Sequence, residues 1–274
     1  TTAAPTCYAG EYDTLWNHPR PLWMLFMAEF WERFAFYGIR WALTLYIVAQ
    51  FFNGDASGQS YASNTYGAYL ALVYASAIFG GYVADRIIGY QHSILVGAVV
   101  MGAGLFMLML PNQELFLLGL ATVIVGNGLF KPNISTLVGK LYADGDKRRD
   151  SGYSIFYMGI NAGAMVSPII TNWLAATFTD TPMVANYKLV FAAAGVGMVI
   201  SYIWFYIGRK QLKGLGAIEK TPIRTKNLIK VIVGTVLAIA PTYALMAYAG
   251  ATIIAWILFV IFAGLCFMLV KGAV

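Results

Sequence analysis

The chain has 274 residues, of which 59% are hydrophobic and 11% charged, and its mean hydropathy is +0.68. This composition excludes an ordinary soluble domain and is typical of a helical protein that crosses a membrane several times. The isolated cysteines Cys7 and Cys266 exclude a disulfide framework, and the formal net charge of +6 is explained below by topology.

Apolar runs separated by Gly, Asn, Asp and Pro predict an all-α polytopic membrane protein with eight spans. The spans are about 21–52, 62–84, 93–110, 114–140, 151–177, 187–208, 227–247 and 252–271. A long basic connector interrupts the series after the sixth span. The predicted organisation is an N-terminal segment 1–20, a six-helix bundle 21–208, a basic linker 209–226 and a helical hairpin 227–274.

The basic residues predict the orientation of the chain. If the N-terminus is cytoplasmic, 14 of the 18 Lys and Arg residues lie in cytoplasmic gaps or flanks, and the outer gaps contain none. This distribution follows the positive-inside rule. The basic charge is therefore interpreted as an orientation signal, and nucleic-acid binding is not expected.

The first predicted span carries four ionisable side chains within an apolar stretch. They are Glu29, Glu32, Arg33 and Arg40. A charge near the bilayer centre costs about 2.5–3.5 kcal/mol even by the mildest measure, so these groups should face protein or a water-filled cavity. Glu29, Arg33 and Arg40 share one helical face, which favours a site where protons or charged ligands bind. A structural ion pair between Glu29 and Arg33 is the alternative.

Polar residues also occur within or beside the second span. Tyr74 lies near its middle and either lines a cavity or belongs to an interfacial belt. The span ends in G-G-Y-V-A-D-R, where Asp85 and Arg86 lie at the predicted cytoplasmic edge. Taken alone, Asp85 is interpreted as a structural residue, for example as a cap of a neighbouring helix end, and not as a residue that carries chemistry.

The fourth and fifth spans contribute further candidate residues. Lys131 lies inside the apolar segment G-N-G-L-F-K-P-N and is either a site cation or a snorkelling side chain. Tyr157 and Asn161 share one face of the fifth span, and a hydrogen bond from Asn161 to a neighbouring helix is the alternative to a site role. Gly159 and Gly163 form a small-xxx-small pattern that predicts close helix packing.

No sequence signature of an enzyme is present. The patterns H-E-x-x-H, G-x-S-x-G and G-x-x-x-x-G-K-[ST] are missing from the sequence. We therefore expect neither enzymatic activity nor a cofactor, with protons as the only coupling ion considered.

Two motifs give the chain a family resemblance. The stretch E-F-W-E-R-F-A-F-Y-G at 29–38 resembles the ExxERFxYYG signature of proton-dependent oligopeptide transporters, the peptide branch of the major facilitator superfamily. The stretch F-Y-M-G-I-N-A-G at 156–163 is similar to the second signature of that family. The resemblance covers roughly residues 20–210, and the hairpin at 227–271 resembles the helix pair that bacterial members insert between two six-helix bundles.

The resemblance implies a fold, an activity and roles for individual residues. The fold is a major facilitator N-terminal six-helix bundle plus a hairpin, and the activity is proton-coupled uptake of di- and tripeptides by alternating access. Glu29, Glu32 and Arg33 would couple protons to transport. Substrate binding would involve Tyr37, Arg40, Tyr74, Lys131, Tyr157 and Asn161, with the cations facing the peptide carboxylate. Asp85 and Arg86 would belong to a gating loop, and Phe36 departs from the family pattern, which has tyrosine there.

The resemblance also implies partners and a location. We expect peptides, protons, membrane lipid and a second six-helix bundle as partners in the bacterial inner membrane, and no transport by residues 1–274 alone. Two alternatives stay open: a transporter of nitrate or another anion, and a non-transporting peptide-sensing receptor or scaffold.

Overall fold

A computed structural model describes residues 12–179, 185–217 and 222–273. In these ranges the chain forms eight α-helices and one short β-hairpin. The helices are α1 (Pro21–Phe51), α2 (Gly58–Val83), α3 (Gly89–Met107), α4 (Gln113–Lys140), α5 (Arg148–Thr177), α6 (Tyr187–Gly208), α7 (Pro222–Ala244) and α8 (Gly250–Ala273). The all-α prediction is confirmed, and each predicted span corresponds to one of these helices.

Six helical stretches of the described residues are long and apolar enough to cross a membrane. Two of these stretches contain two helices each, because α2–α3 and α7–α8 are joined by single π-helical turns, at Ala84–Ile88 and Leu245–Ala249. Each turn is followed by a glycine with positive φ, 76° at Gly89 and 69° at Gly250. Glycine accepts this backbone conformation, which most side chains disfavour, and so permits the reversal. The protein is thus a multi-pass membrane protein.

The helices pack into a bundle with α1 and α4 at its centre. Helix α1 contacts α5 and α6 most extensively, and α4 contacts α3 and α2. Small residues permit the closest approach: a Cβ added at Gly97 of α3 would lie 2.7 Å from the carbonyl oxygen of Gly126 in α4. Close backbone packing of this kind is a main source of helix association in lipid.

The hairpin of α7 and α8 lies against one side of this bundle. Helix α7 contacts α4 and the π turn after α2, and α8 contacts α2. The amide of Ala251 donates a 2.8 Å hydrogen bond to Asn64 Oδ1. Most of the described side chains of α8 are exposed and apolar, as expected for a surface that faces lipid.

The segment before α1 forms a β-hairpin of β1 (Thr14–Leu15) and β2 (His18–Pro19), in which Leu15 pairs with His18. It contacts the connection between α4 and α5, because Arg148 Nη1 donates a 3.2 Å hydrogen bond to the carbonyl of Asn17. Tyr12 Oη donates to the carbonyl of Leu212 at 3.1 Å, just beyond α6. The hairpin therefore joins two helix ends on one side of the membrane.

The predicted unit boundaries are described only in part. Residues 1–11 of the N-terminal segment 1–20 and residues 218–221 of the linker 209–226 lie outside the described residues. Helix α7 begins at Pro222, five residues before the predicted span at 227–247. The hydropathy pattern did not predict this start because the first turn of α7 is polar. Proline at the start of a helix costs no intrahelical hydrogen bond.

Candidate functional site

Three charged side chains of α1 lie inside the bundle, away from lipid and water. Glu29 and Glu32 are fully buried, and Arg33 is 2% exposed. Arg33 donates two hydrogen bonds to the carboxylate of Glu32, from Nε and Nη2. Because an isolated buried charge is very costly, the pairing is what allows these groups to remain in the membrane interior.

The two carboxylates differ in how they are held. Glu32 receives a further hydrogen bond of 3.0 Å from Asn127 Nδ2 of α4, in addition to those from Arg33. Glu29 Oε1 lies 3.2 Å from Arg33 Nε, but neither of its oxygens accepts a hydrogen bond from the described residues. Glu32 is therefore fixed by two helices, whereas Glu29 is held by charge attraction alone.

The glycines of α5 bring α5 against the backbone of α1 beside this cluster. A Cβ added at Gly163 would lie 2.5 Å from the carbonyl oxygen of Phe30 and 3.1 Å from Arg33 Cβ. At Gly159 the added atom would lie 3.1 Å from the carbonyl oxygen of Phe26. The packing role predicted for Gly159 and Gly163 is confirmed, and α5 covers the face of α1 that carries Arg33.

An aromatic pair packs on the other side of the guanidinium. Arg33 Cζ lies 4.7 Å from the ring centroid of Phe36, and this ring stacks on Tyr69 of α2 with centroids 6.3 Å apart. The Tyr69 side chain is buried and its hydroxyl has no hydrogen-bond partner among the described residues. Phe36 thus makes a cation–π contact with Arg33. A tyrosine at this position would add a buried hydroxyl that needs a hydrogen-bond partner.

Arg40 lies further along α1, at a cavity of about 400 Å³. Tyr37, Trp41, Tyr66 and residues of α5 also line this cavity. Arg40 Nε donates a 2.5 Å hydrogen bond to Tyr66 Oη, and its Cζ lies 5.8 Å from the Tyr37 ring. Arg40 is exposed and takes part in none of the ion pairs of the described residues, so its charge is available to an anionic group.

The remaining substrate-binding candidates differ in how deeply they are buried. Lys131 of α4 is half-buried, about one helical turn after Asn127, and takes part in none of the ion pairs of the described residues. Tyr74, Tyr157 and Asn161 are exposed, the two tyrosines by 69% and 58%. The structure thus places Lys131 on α4 close in sequence to a partner of the buried cluster and leaves the other three residues on an exposed surface.

The two gating candidates lie in the π-helical turn that follows α2. The Asp85 carboxylate accepts a hydrogen bond from Tyr90 Oη instead of capping α3, whose N-terminus has no side-chain cap. Arg86 points elsewhere and lines a second cavity together with residues of α7. Asp85 therefore does not cap α3, and its observed contact is with the side chain of Tyr90.

Two contacts in this site were not predicted from the sequence. Asn127 belongs to the Lys131 motif, about one helical turn before that lysine, and its place in the motif was the only signal in the sequence. Tyr66 was visible only as one of several tyrosines in the second span. Both matter because each holds a charged residue of α1 from a different helix.

Comparisons with known proteins agree with this architecture. The POT family (PTR2) matches residues 91–257. The uncharacterized transporter YclF of Bacillus subtilis is 39% identical over 224 residues, which cover 81% of this chain and 44% of that protein. Dipeptide and tripeptide permease B of Salmonella typhimurium is 35% identical over 241 residues, covering 87% of this chain and 46% of that protein.

Solved structures give the same result. Peptide transporter POT in complex with sulfate superposes with a TM-score of 0.69 at 34% identity and covers 88% of this chain and 49% of its own. Tetrameric PepTSo2 has a TM-score of 0.77 at 27% identity, covering 93% of this chain and 54% of its own. The chain spans about half the length of the relatives it matches.

Proposed function

The chain belongs to the POT family, and from that premise we propose that it forms the N-terminal half of a proton-coupled symporter of di- and tripeptides. Such a protein would reside in the bacterial inner membrane with its N-terminus in the cytoplasm. The relatives named as dipeptide and tripeptide permeases support the substrate, and the distribution of Lys and Arg supports the orientation.

The single observation that carries the proposal is the unequal fixing of two buried carboxylates around one guanidinium. Arg33 and Asn127 hold Glu32 by hydrogen bonds, whereas Glu29 accepts none. A buried carboxylate without hydrogen bonds can take up a proton without losing one, so Glu29 is assigned as the residue that carries the proton. Its protonation would remove one of the two negative charges beside Arg33.

Redistribution of charge around Arg33 would couple the proton to the substrate. With Glu29 neutral, Arg33 and Lys131 would be compensated mainly by Glu32, which leaves positive charge for another anion. The carboxylate of a peptide is an anion of the required kind. Proton uptake and substrate binding would then favour the same state of the protein.

The cations of the site support recognition of the carboxyl end of a peptide. Arg40 is exposed at its cavity and Lys131 is half-buried in α4, and charge-assisted hydrogen bonds to carboxylates are stronger than neutral ones. A peptide also has an amino group, for which a second six-helix bundle would supply acidic partners. Tyr74, Tyr157 and Asn161 would meet the substrate or that bundle on the open surface.

Uptake of labelled dialanine into proteoliposomes with an alkaline interior tests the proposal, using the protein together with its proposed second bundle. We expect uptake that a protonophore abolishes and that an unlabelled tripeptide competes. Glu29→Gln should abolish gradient-driven uptake but retain exchange of labelled for unlabelled dialanine, because the mimic of the protonated state still binds peptide. Glu114→Gln, which makes the same change at an exposed carboxylate of α4, serves as the matched control.

The outcomes separate the candidate functions. Gradient-driven uptake of nitrate without uptake of dialanine would show that the substrate is an inorganic anion and not a peptide. Peptide binding without uptake or exchange, in a preparation that is folded and correctly oriented, would favour a receptor. Glu29→Gln uptake equal to that of the unmodified protein would contradict the assignment of Glu29.

A further inference from the structure

A cavity of about 850 Å³ lies between the bundle and the hairpin, apart from the charged cluster. Helices α2 and α4 form its floor and α7 covers it. Its walls are mainly apolar, with Leu72, Phe79, Ile124, Leu129, Val231 and Leu245 among the lining residues. The lining extends from Asn227 of α7 to Leu245, the first residue of the π turn after α7, which at 1.5 Å per residue is about 27 Å. This length is comparable to the roughly 30 Å of a hydrocarbon core.

The hydroxyl groups in this cavity do not make it polar. Ser76, Thr235 and Thr242 each donate a hydrogen bond to a carbonyl three or four residues earlier in their own helix, at 2.7–2.8 Å. Because these donors are already satisfied, they offer little to a water molecule, which needs two to four polar partners. The middle of the cavity therefore suits an apolar occupant.

One end of the cavity has a different character. Arg86 lines it from the turn after α2, and Asn227 and Lys230 line it from the first turns of α7. No carboxylate is among the lining residues, and neither Arg86 nor Lys230 takes part in an ion pair of the described chain. In the predicted orientation this end lies on the cytoplasmic side.

The ligand that fits this cavity must have an apolar part for its walls and a negative charge for the two cations at its end. A peptide zwitterion would find no partner there for its amino group, and an inorganic anion would not fill the apolar part. An anionic phospholipid satisfies both parts, since basic pockets between membrane helices on the cytoplasmic side bind such headgroups. Much of the hairpin surface is apolar and exposed, so lipid has access to the cavity from the bilayer.

We propose that this cavity binds one anionic phospholipid, with an acyl chain between α7 and the bundle and its phosphate between Arg86 and Lys230. The lipid would fill the space that the hairpin leaves against α2 and α4. The hairpin would then be attached to the bundle partly through this lipid. The inference does not depend on the transport proposal, because it concerns a separate cavity.

Photolabelling tests the inference. Membranes that contain the protein together with its proposed second bundle would be exposed to phosphatidylglycerol with a diazirine on one acyl chain, and the labelled peptides identified by mass spectrometry. Phosphatidylcholine with the same acyl chain is the comparison. We expect phosphatidylglycerol to label the cavity-lining peptides of α2, α4 and α7 roughly 25-fold more strongly, because Arg86 and Lys230 each contribute about fivefold to the binding of an anionic lipid.

Two pairs of variants make the test specific. Gly234→Leu places a side chain into the cavity, where an added Cβ meets no atom within 4 Å, and should abolish labelling. Gly264→Leu on α8 is equally free of contacts but lies outside the cavity and should leave labelling unchanged. Lys230→Gln should reduce labelling by phosphatidylglycerol about fivefold, whereas Lys226→Gln, one turn earlier and outside the lining, should not.

Three results would overturn the inference. Equal labelling by the two lipids would show that the cavity does not prefer an anionic headgroup. Undiminished labelling of the Gly234→Leu protein would show that the lipid binds outside this cavity. Displacement of the label by dialanine would make the cavity part of a substrate route. Because labelling requires no transport, inactive protein still gives a decisive result.

Discussion

Asn127 of α4 donates a 3.0 Å hydrogen bond to Glu32 of α1, a contact between side chains 95 positions apart that fixes this glutamate from a second helix. The two buried glutamates would differ even without it, because Arg33 donates two hydrogen bonds to Glu32 and none to Glu29. With Asn127, Glu32 is bound from two helices and Glu29 only through its charge. In the proposed mechanism, Asn127 therefore strengthens the difference that leaves Glu29 to accept the proton.

Asn127→Ala should reduce gradient-driven uptake about tenfold or more. It removes a hydrogen bond to a charged group, and such bonds contribute roughly 1.5–3 kcal/mol, where about 1.4 kcal/mol corresponds to tenfold. The measurement is initial dialanine uptake at several external pH values. Ser135→Ala is the control, because the Ser135 hydroxyl donates only to the carbonyl of Lys131 in its own helix. An Asn127→Ala protein with unchanged uptake and pH profile would show that Glu32 does not need this partner.

Tyr66→Phe should raise the KM for dialanine about two- to tenfold. Tyr66 Oη accepts the hydrogen bond that orients Arg40 at its cavity, and a net hydrogen bond contributes roughly 0.5–1.5 kcal/mol. Tyr69→Phe is the matched control on the same helix, because the Tyr69 hydroxyl is buried without a partner. The KM values of the two variants are compared by uptake. An equal rise in the KM of both variants would contradict the proposal that Tyr66 orients Arg40.

The positions of the spans and the charged face of α1 could be predicted from the sequence because each depends on a local pattern. Hydropathy finds a helix in lipid, and a period of 3.6 places Glu29 and Arg33 on one face. The contacts of Asn127 and Tyr66 could not be predicted this way, since a helical pattern does not say which faces of distant helices meet. The two hydrogen bonds from Arg33 to Glu32 could not be predicted from the helical pattern for another reason. Neighbouring residues point about 100° apart, and only the long arginine side chain brings them together.

The roles of the site residues remain predictions, but their placement gives each a distinct test. Lys131 is half-buried on α4, about one helical turn after the Asn127 that binds Glu32, whereas Arg40 lies at its own cavity. A substitution at Lys131 should therefore change the pH dependence of uptake, and one at Arg40 mainly the affinity for peptide. The difference follows from which residue shares the electrostatic environment of the buried carboxylates.

Gly163→Ala should destabilise the protein by about 1–3 kcal/mol, the usual cost of overpacking. The added Cβ would lie 2.5 Å from the backbone oxygen of Phe30, and a backbone atom cannot rotate away as the end of a flexible side chain can. Thermal unfolding in detergent measures the effect as a lower Tm. Gly81→Ala on α2 is the control, since its added Cβ meets no atom within 4 Å. A Gly163→Ala protein with the same Tm as the control would show that α1 and α5 can move apart to fit the added Cβ without a loss of stability.

The packing of the β-hairpin before α1 should weaken as the pH falls below the ordinary pKa of histidine, about 6.5. His18 is buried and shares a 2.8 Å hydrogen bond with Tyr142. Burial lowers its pKa, the positive charge of Arg148 lowers it further, and Asp146 acts in the opposite direction. The detached hairpin therefore binds a proton more readily than the packed one, so packing weakens as the pH falls from 6.5 towards the lowered pKa and changes little below that.

Limited proteolysis of the N-terminal segment at pH 7.5 and 5.5 measures this release. Cleavage should be faster at pH 5.5 in the unmodified protein, while His18→Gln should make the rate nearly independent of pH because glutamine does not titrate in this range. The Asp146 carboxylate accepts hydrogen bonds from Arg148, which lower its pKa below the ordinary value, so it stays ionised at both pH values. The same pH dependence in the His18→Gln protein would therefore assign the release to a group other than His18.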